Sequence, residues 1–223
     1  MGFEALATTS LGLANMLGRA DSHVTRAEVI DNCRMIAQAT DLPVNVDLEN
    51  CFVHDPLAAA EVIRFAAEAG AVGGSIEDYT GDPANPIYEF DFAVARVRAA
   101  AQVAHTVPVP FLLTARAENL IHGRNDMADT VRRLQAYEAA GADVLYAPGL
   151  RRLNDVREVT RALTRPVNVV TGWLDPDITL AELSEAGAKR ISVGGALSPS
   201  RWRRSPRPPK PCGSKAPSPG CVR

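Results

Sequence analysis

No apolar run in this chain approaches the ~20 residues that a membrane-spanning helix needs. No charged segment followed by an apolar stretch opens it as a secretory signal would, so the sequence predicts a cytoplasmic protein. Cysteine is sparse. Cys33, Cys51, Cys212 and Cys221 show neither a CxxC zinc spacing nor a disulfide framework, and free thiols are expected. Histidine is equally scarce: His54, His105 and His122 lack the spacing of a metal triad and receive no role. No GxGxxG follows the first strand-like segment, which removes the usual sign of a dinucleotide-binding open sheet.

What is present is an ordinary globular composition, 46% hydrophobic and 22% charged over 223 residues, enough for one large domain and a sizeable core. The net charge of -2 hides an asymmetry. From Ser198 the chain reads SPSRWRRSPRPPKPCGSKAPSPGCVR, with seven Arg or Lys and no acid, which leaves 17 basic against 26 acidic side chains, net -9, in the body. Such a Pro-rich, aliphatic-poor segment cannot bury a core, so residues 198–223 are predicted to be a disordered basic tail beyond a domain of residues 1–197. The change after ISVGGAL is abrupt enough to suggest out-of-frame reading of a GC-rich gene. Sequencing the gene and finding no frame in which a helix follows Gly195 would refute that. The tail has no nucleic-acid motif, and neither nucleic acid nor membrane is expected as a partner.

From Glu4 to Gly195 one unit repeats. EALATTS is a short strand, and Thr25 is a candidate N-cap for a helix carrying Val29, Ile30, Cys33 and Ile36 on one face. Six further strand signals follow, PVNVDLE, GGSIEDY, PFLLTARAE, DVLYAP, PVNVVTG and KRISVGG, with amphipathic segments between them. Three of those segments close on Gly70, Gly141 and Gly187, as left-handed C-caps do. Strands alternating with helices imply a parallel sheet, and polar residues gather at strand ends: Thr8, Thr9 and Ser10; Asp47 and Glu49; Glu77 and Asp78; Arg116 and Glu118. Barrel enzymes build their sites there. An eight-fold barrel typically takes ~250 residues, so the expected fold is an incomplete α/β (β/α)8 TIM-type barrel, lacking a first strand-helix unit and the last helix.

The acids pose a folding problem, because a buried carboxylate is costly unless paired or bound to a metal. Asp47 and Glu49, two apart on one strand, should point to one side, with Glu77 ending the neighbouring strand. Three converging carboxylates suit a hard cation such as Mg²⁺. The alternative for each acid is an N-cap or a salt bridge. Arg116 has the fork geometry to grip a carboxylate; its alternative is an internal ion pair with Glu118 or Glu77.

VDLEN, SIEDYTGD, TARAEN, LYAPGL and RISVGGAL, in this order on successive strands, resemble the phosphoenolpyruvate mutase and isocitrate lyase superfamily, particularly its carboxyvinyl-carboxyphosphonate phosphorylmutase branch. The resemblance covers about residues 3 to 197. It implies a Mg²⁺-dependent barrel, with Mn²⁺ as a substitute, that makes or breaks carbon-carbon or phosphorus-carbon bonds beside a carboxylate-bearing oxo or enol group. It implies Asp47 as primary metal ligand, with Glu49 and Glu77 acting directly or through water. Arg116 and Asp21 take catalytic roles. Substrate binding falls to Thr9, Ser10 and Leu11, to Asp47 and Arg116, and to Asn85. Asp21 otherwise reads as a surface loop acid, and Asn85 beside Pro86 as a turn former. Cys51 stands where relatives usually have glycine, and a free thiol there reads best as a small buried hydrophobe.

The implied chemistry is retro-aldol or retro-Claisen cleavage of a small 2-oxo or 2-hydroxy carboxylate through a metal-stabilised enolate. Isocitrate-type lyases carry a KKCGH-like segment after the acid corresponding to Glu77. This chain has DYTGDPANPIYEF there, without Lys, Cys or His, which argues against isocitrate and methylisocitrate cleavage. The alternatives are a phosphorus-carbon mutase or hydrolase, and a non-catalytic barrel remnant. The family tends to tetramers that exchange the last helix; a homo-oligomer lacking that exchanged helix is the corresponding expectation.

Overall fold

The computed structural model describes residues 2–197. The predicted tail, Cys212 and Cys221 lie outside the described residues. Seven parallel strands run in chain order: β1 (Leu6–Ala7), β2 (Val44–Asp47), β3 (Gly73–Glu77), β4 (Leu112–Arg116), β5 (Val144–Tyr146), β6 (Val167–Val170) and β7 (Arg190–Ser192). Each pairs only with its sequence neighbours among the described residues, giving a nearly closed barrel. The helices are α1 (Ser10–Met16), α2 (Arg26–Gln38), α3 (Pro56–Glu68), α4 (Phe90–Ala104), α5 (Met127–Ala139), α6 (Leu153–Arg161) and α7 (Leu180–Glu185).

Local chemistry sets the boundaries. Thr25 caps α2, with its hydroxyl accepting the Glu28 amide and Glu28 reaching back, a full capping box. The chain leaves α3, α5 and α7 through Gly70, Gly141 and Gly187 at φ near +100°, where a Cβ would be strained. Every residue of β3 and β6 is buried, as expected of a parallel strand covered by helices on one face and filled by side chains on the other. The core is continuous, with Val46, Leu48, Ile63, Ile76, Leu113, Leu134, Leu145 and Leu183 nearly inaccessible. None of the helices among the described residues is long and apolar enough to cross a membrane.

Two readings of the sequence need correction. Strand β2 stops at Asp47, so Glu49 does not share its strand; it follows in a turn with φ +47°, and Cys51 and Phe52 are left-handed as well. Glu49 therefore stands near Asp47 because the chain turns, not because side chains alternate along a strand. The strand read over EALATTS is only Leu6–Ala7, and Ser10, its last residue, opens the short helix α1.

Candidate active site

The C-terminal ends of β2, β3 and β4 bring together Asp47, Glu77 and Arg116, with Glu49 and Glu118 just beyond. Asp47 and Glu77 are each 9% exposed and Glu118 is 1% exposed. The Arg116 guanidinium lies among them: Nη1 is 2.6 Å from Glu77 Oε1 and 3.2 Å from Asp47 Oδ1, and Nε is 2.7 Å from Glu118 Oε1. Its plane also faces the Tyr146 ring at 4.8 Å. Asp47 is held from several sides. Ser10 N–H donates to its Oδ2 (3.1 Å), Ser75 Oγ–H donates to its Oδ1 (3.3 Å), and its own amide donates to Thr8 Oγ1 (2.9 Å).

Four acids against one guanidinium leave an excess of negative charge, and the acids respond as electrostatics requires. Burial, reinforced by Asp47 and Asp21, pushes Glu49 up to about 7. Burial raises Glu118 to about 7 despite Arg116, and burial raises Glu77 well above the usual carboxylate range. Burial opposes the charge on Arg116, but Glu118, Glu77 and Asp47 outweigh it and hold Arg116 firmly protonated. Glu49 Oε1 is buried without a hydrogen-bond partner, an arrangement a protein tolerates when a ligand supplies the missing contact. Among the described residues no three His, Cys, Asp or Glu side chains surround one point as a ready metal cage; Arg116 stands between the acids. The donor set, hard carboxylate oxygens with one left unpartnered, nevertheless has the chemistry of a divalent-cation site completed by water and substrate oxygens.

The remaining predicted residues are placed as follows. Thr9 is the N-cap residue of α1, Ser10 opens the helix with its amide on Asp47, and Leu11 follows, half exposed and next to Gly195 after β7. Asp21 lies exposed in the loop between α1 and α2, and its negative charge acts on Glu49. Asn85 is exposed in a self-contained turn, bonded to Asp82 through its amide while its carbonyl accepts from Thr80. Cys51 is fully buried, and burial pushes its thiol up to about 12, so it is a filler and not a nucleophile. Cys33 is likewise free and buried.

Sequence reasoning missed the supports around the site. Asp78, buried at the end of β3, accepts from Glu118 N–H (2.7 Å), Tyr137 Oη–H (2.6 Å) and Arg133 Nη1 (3.2 Å), tying β3 and β4 to α5. Arg96 of α4, 1% exposed, donates to the carbonyls of Asn50, Val53 and His54 and lies over the Tyr88 ring, so it carries the turn that contains Glu49. Tyr79 and His122 stack in parallel, 4.0 Å between centroids, joining the loops after β3 and β4. The sequence marks Asp78 only as one more polar residue at a strand end, and no local pattern marks the others as supports, because the hydrogen bonds that tie Asp78 to Glu118 and Arg96 to Val53 span 40 and 43 positions.

The family model described as phosphoenolpyruvate phosphomutase matches residues 1–204. A lyase/mutase from Burkholderia cenocepacia J2315, assigned only provisionally, has a structure similar to this one, with TM-score 0.85 and 53% identity over 88% of this chain and 70% of that one. The structure of 2,3-dimethylmalate lyase superposes with TM-score 0.81 at 28% identity, covering 91% of this chain and 72% of that one. The 2-methylisocitrate lyase of Escherichia coli (strain K12) is 30% identical over 83% of this chain. The chain spans 64% of the length of that lyase. With the motifs in register along a parallel barrel and a family model matched over all the described residues, the chain belongs to the phosphoenolpyruvate mutase and isocitrate lyase superfamily.

Proposed function

We propose that this chain is a Mg²⁺-dependent lyase, acting in the cytoplasm, that cleaves a carbon-carbon bond in small 2-oxo or 2-hydroxy carboxylates. The observation that carries the reading is the acid cluster at the ends of β2 and β3, with a buried Glu49 oxygen lacking a partner. Asp47, with Glu49 and Glu77, would hold the cation; Mn²⁺ has the same ligand preferences. When bound, the cation supplies a Lewis acid that stabilises the enolate left as the bond breaks. The protein's own groups do the rest. Ser10 and Ser75 fix the Asp47 carboxylate in place. Arg116 Nη2 enters none of the three ion pairs and is the donor left for the substrate carboxylate. Asp21, exposed in the loop after α1 and close enough for its charge to act on Glu49, is the remaining candidate for a catalytic role.

Relatives bear the names 2-methylisocitrate lyase, oxaloacetate decarboxylase and 2,3-dimethylmalate lyase. The loop after Glu77 holds no Lys, Cys or His, so we place the substrate among simple oxo or alkyl-substituted di-acids and not among the isocitrates. Thermal unfolding with and without Mg²⁺ and oxalate tests the site: a transition that rises only with both supports it. Turnover is then sought among oxaloacetate, alkylmalates, phosphonopyruvate and isocitrate. Conversion of phosphonopyruvate alone would replace the carbon-carbon reading with a phosphorus-carbon one; no response to Mg²⁺ and oxalate would mark a non-catalytic barrel.

A further inference from the structure

The pairing register of the barrel aligns one residue from each of five strands: Glu77 opposite Arg116, Arg116 opposite Tyr146, Tyr146 opposite Asn168, and Asn168 opposite Arg190. The row holds two arginines of very different circumstance. Arg116 is neutralised by three carboxylates. Arg190 has only neutral partners: its Nε donates to Asn168 Oδ1 (2.8 Å) and its Nη2 to Thr114 Oγ1 (3.0 Å). Thr114 belongs to β4, three strands away from β7 in the sheet, so the Arg190 side chain reaches it across the barrel interior and not along the wall. Among the described residues no carboxylate is within ion-pair distance of Arg190, and its Nη1 makes no hydrogen bond.

Arg190 is partly buried, and a guanidinium drawn out of water with no counter-charge is costly. Burial acts against its protonated form; Tyr146 opposes that effect and repulsion from Arg116 adds to it. The acids all lie on the β2–β4 side, so the interior is polarised: anionic on one side, with an uncompensated cation on the other. Asn168 Nδ2 donates to Ser192 Oγ (3.1 Å), which turns the Asn168 carbonyl oxygen toward Arg190 and fixes the guanidinium plane.

We propose that Arg190 is a substrate-binding residue that receives the second carboxylate of a dicarboxylic substrate whose 2-oxo or 2-hydroxy end sits at Asp47 and Arg116. The assignment rests on the functional reading above and adds the substrate's second anchoring point. One guanidinium with neutral neighbours matches a single negative charge, which favours a carboxylate over a doubly charged phosphonate. A singly charged acid with the same head would leave Arg190 as uncompensated as before. The subsite thus selects for di-acids, as a site built for a polar group rejects an analogue lacking it.

The test is calorimetric, with Mg²⁺ and three probes: oxalate, L-malate and 2-hydroxybutanoate. The last two share a head and differ in the distal carboxylate. The wild-type protein should bind L-malate about tenfold or more tighter than 2-hydroxybutanoate, the order of one charge-assisted hydrogen bond. Arg190→Met should erase that preference and leave oxalate binding in place. Arg190→Lys should retain part of it. Asn168→Asp keeps the side-chain volume but gives Arg190 a carboxylate of its own; it should also lose the preference, and it guards against Arg190→Met failing to fold. A preference for L-malate that survives both Arg190→Met and Asn168→Asp, or that is absent from the wild type, overturns the proposal. Failure of oxalate alone, with an Arg190-dependent preference intact, refutes the metal-site reading and leaves the subsite standing.

Discussion

Replacing Arg96 by Met removes a guanidinium that is 1% exposed and donates to three main-chain carbonyls, those of Asn50, Val53 and His54. Met has similar length and an apolar stem, so packing within α4 changes little. The three carbonyls lose their donor, each at a cost of about 1–3 kcal/mol where water cannot replace it. The turn they belong to holds Glu49, Cys51 and Phe52 at positive φ, each about 1–3 kcal/mol above a relaxed backbone. Part of that strain is released when the anchor goes, which offsets part of the loss. The expected outcome is destabilisation of about 3–5 kcal/mol by urea unfolding, in the range seen when a buried charged partner is removed. Proteolytic nicking within residues 48–55 should accelerate as the turn opens. Arg96→Lys keeps the charge but not the fork and should fall between. A loss below about 1 kcal/mol for Arg96→Met, with unchanged proteolysis, would show that the turn holds itself and that the argument is wrong.

Asp47→Ala should abolish the Mg²⁺-dependent rise in the thermal transition; an unchanged rise would remove Asp47 from the cation site. Tyr137→Phe deletes one short hydrogen bond to the buried Asp78 carboxylate and should cost about 2 kcal/mol in denaturant unfolding. A change within 0.5 kcal/mol, the spread of neutral substitutions, would show Asp78 satisfied without it. Glu28 is held down to about 2 by Arg19 and by the Thr25 amide and hydroxyl. A depressed acid stabilises the folded state above its ordinary value, so its contribution is complete above 4.5 and disappears as pH falls toward 2. Urea midpoints measured across that window should fall less steeply in Glu28→Gln than in wild type, and parallel curves would contradict this.

The architecture was readable because each unit carries its own signals. The strand after Pro43, the Thr25 cap and the glycines at 70, 141 and 187 are local, and the structure uses them as their chemistry dictates. The acids of the site were readable as types at strand ends. Their geometry was not. Glu49 leaves β2 in a left-handed turn that nothing in VDLENCF announces, since Glu, Cys and Phe all disfavour that conformation. The distant Arg96, through the carbonyls of Asn50, Val53 and His54, helps to hold it. Arg116 was open to two readings, substrate ligand or internal ion pair, because both depend on which acids fold against it. The structure shows the ion pairs with Asp47, Glu77 and Glu118.

The five-strand row from Glu77 to Arg190 binds the chemistry to the hydrogen-bond register of the sheet. Along a strand, inward and outward positions alternate. Inserting or deleting one residue within β4, β5, β6 or β7 would therefore swing a charged, phenolic or amide group into the apolar layer beneath the helices. Within those strands, substitution in place is the change the register tolerates. The segment from Thr80 to Pro86 is under no such rule: several of its hydrogen bonds close on its own members, as between Thr80, Asp82 and Asn85. It can lengthen, shorten or be exchanged whole without disturbing the row. New substrate preferences on this scaffold are therefore most accessible through loop exchange, with the charges of the barrel interior inherited intact.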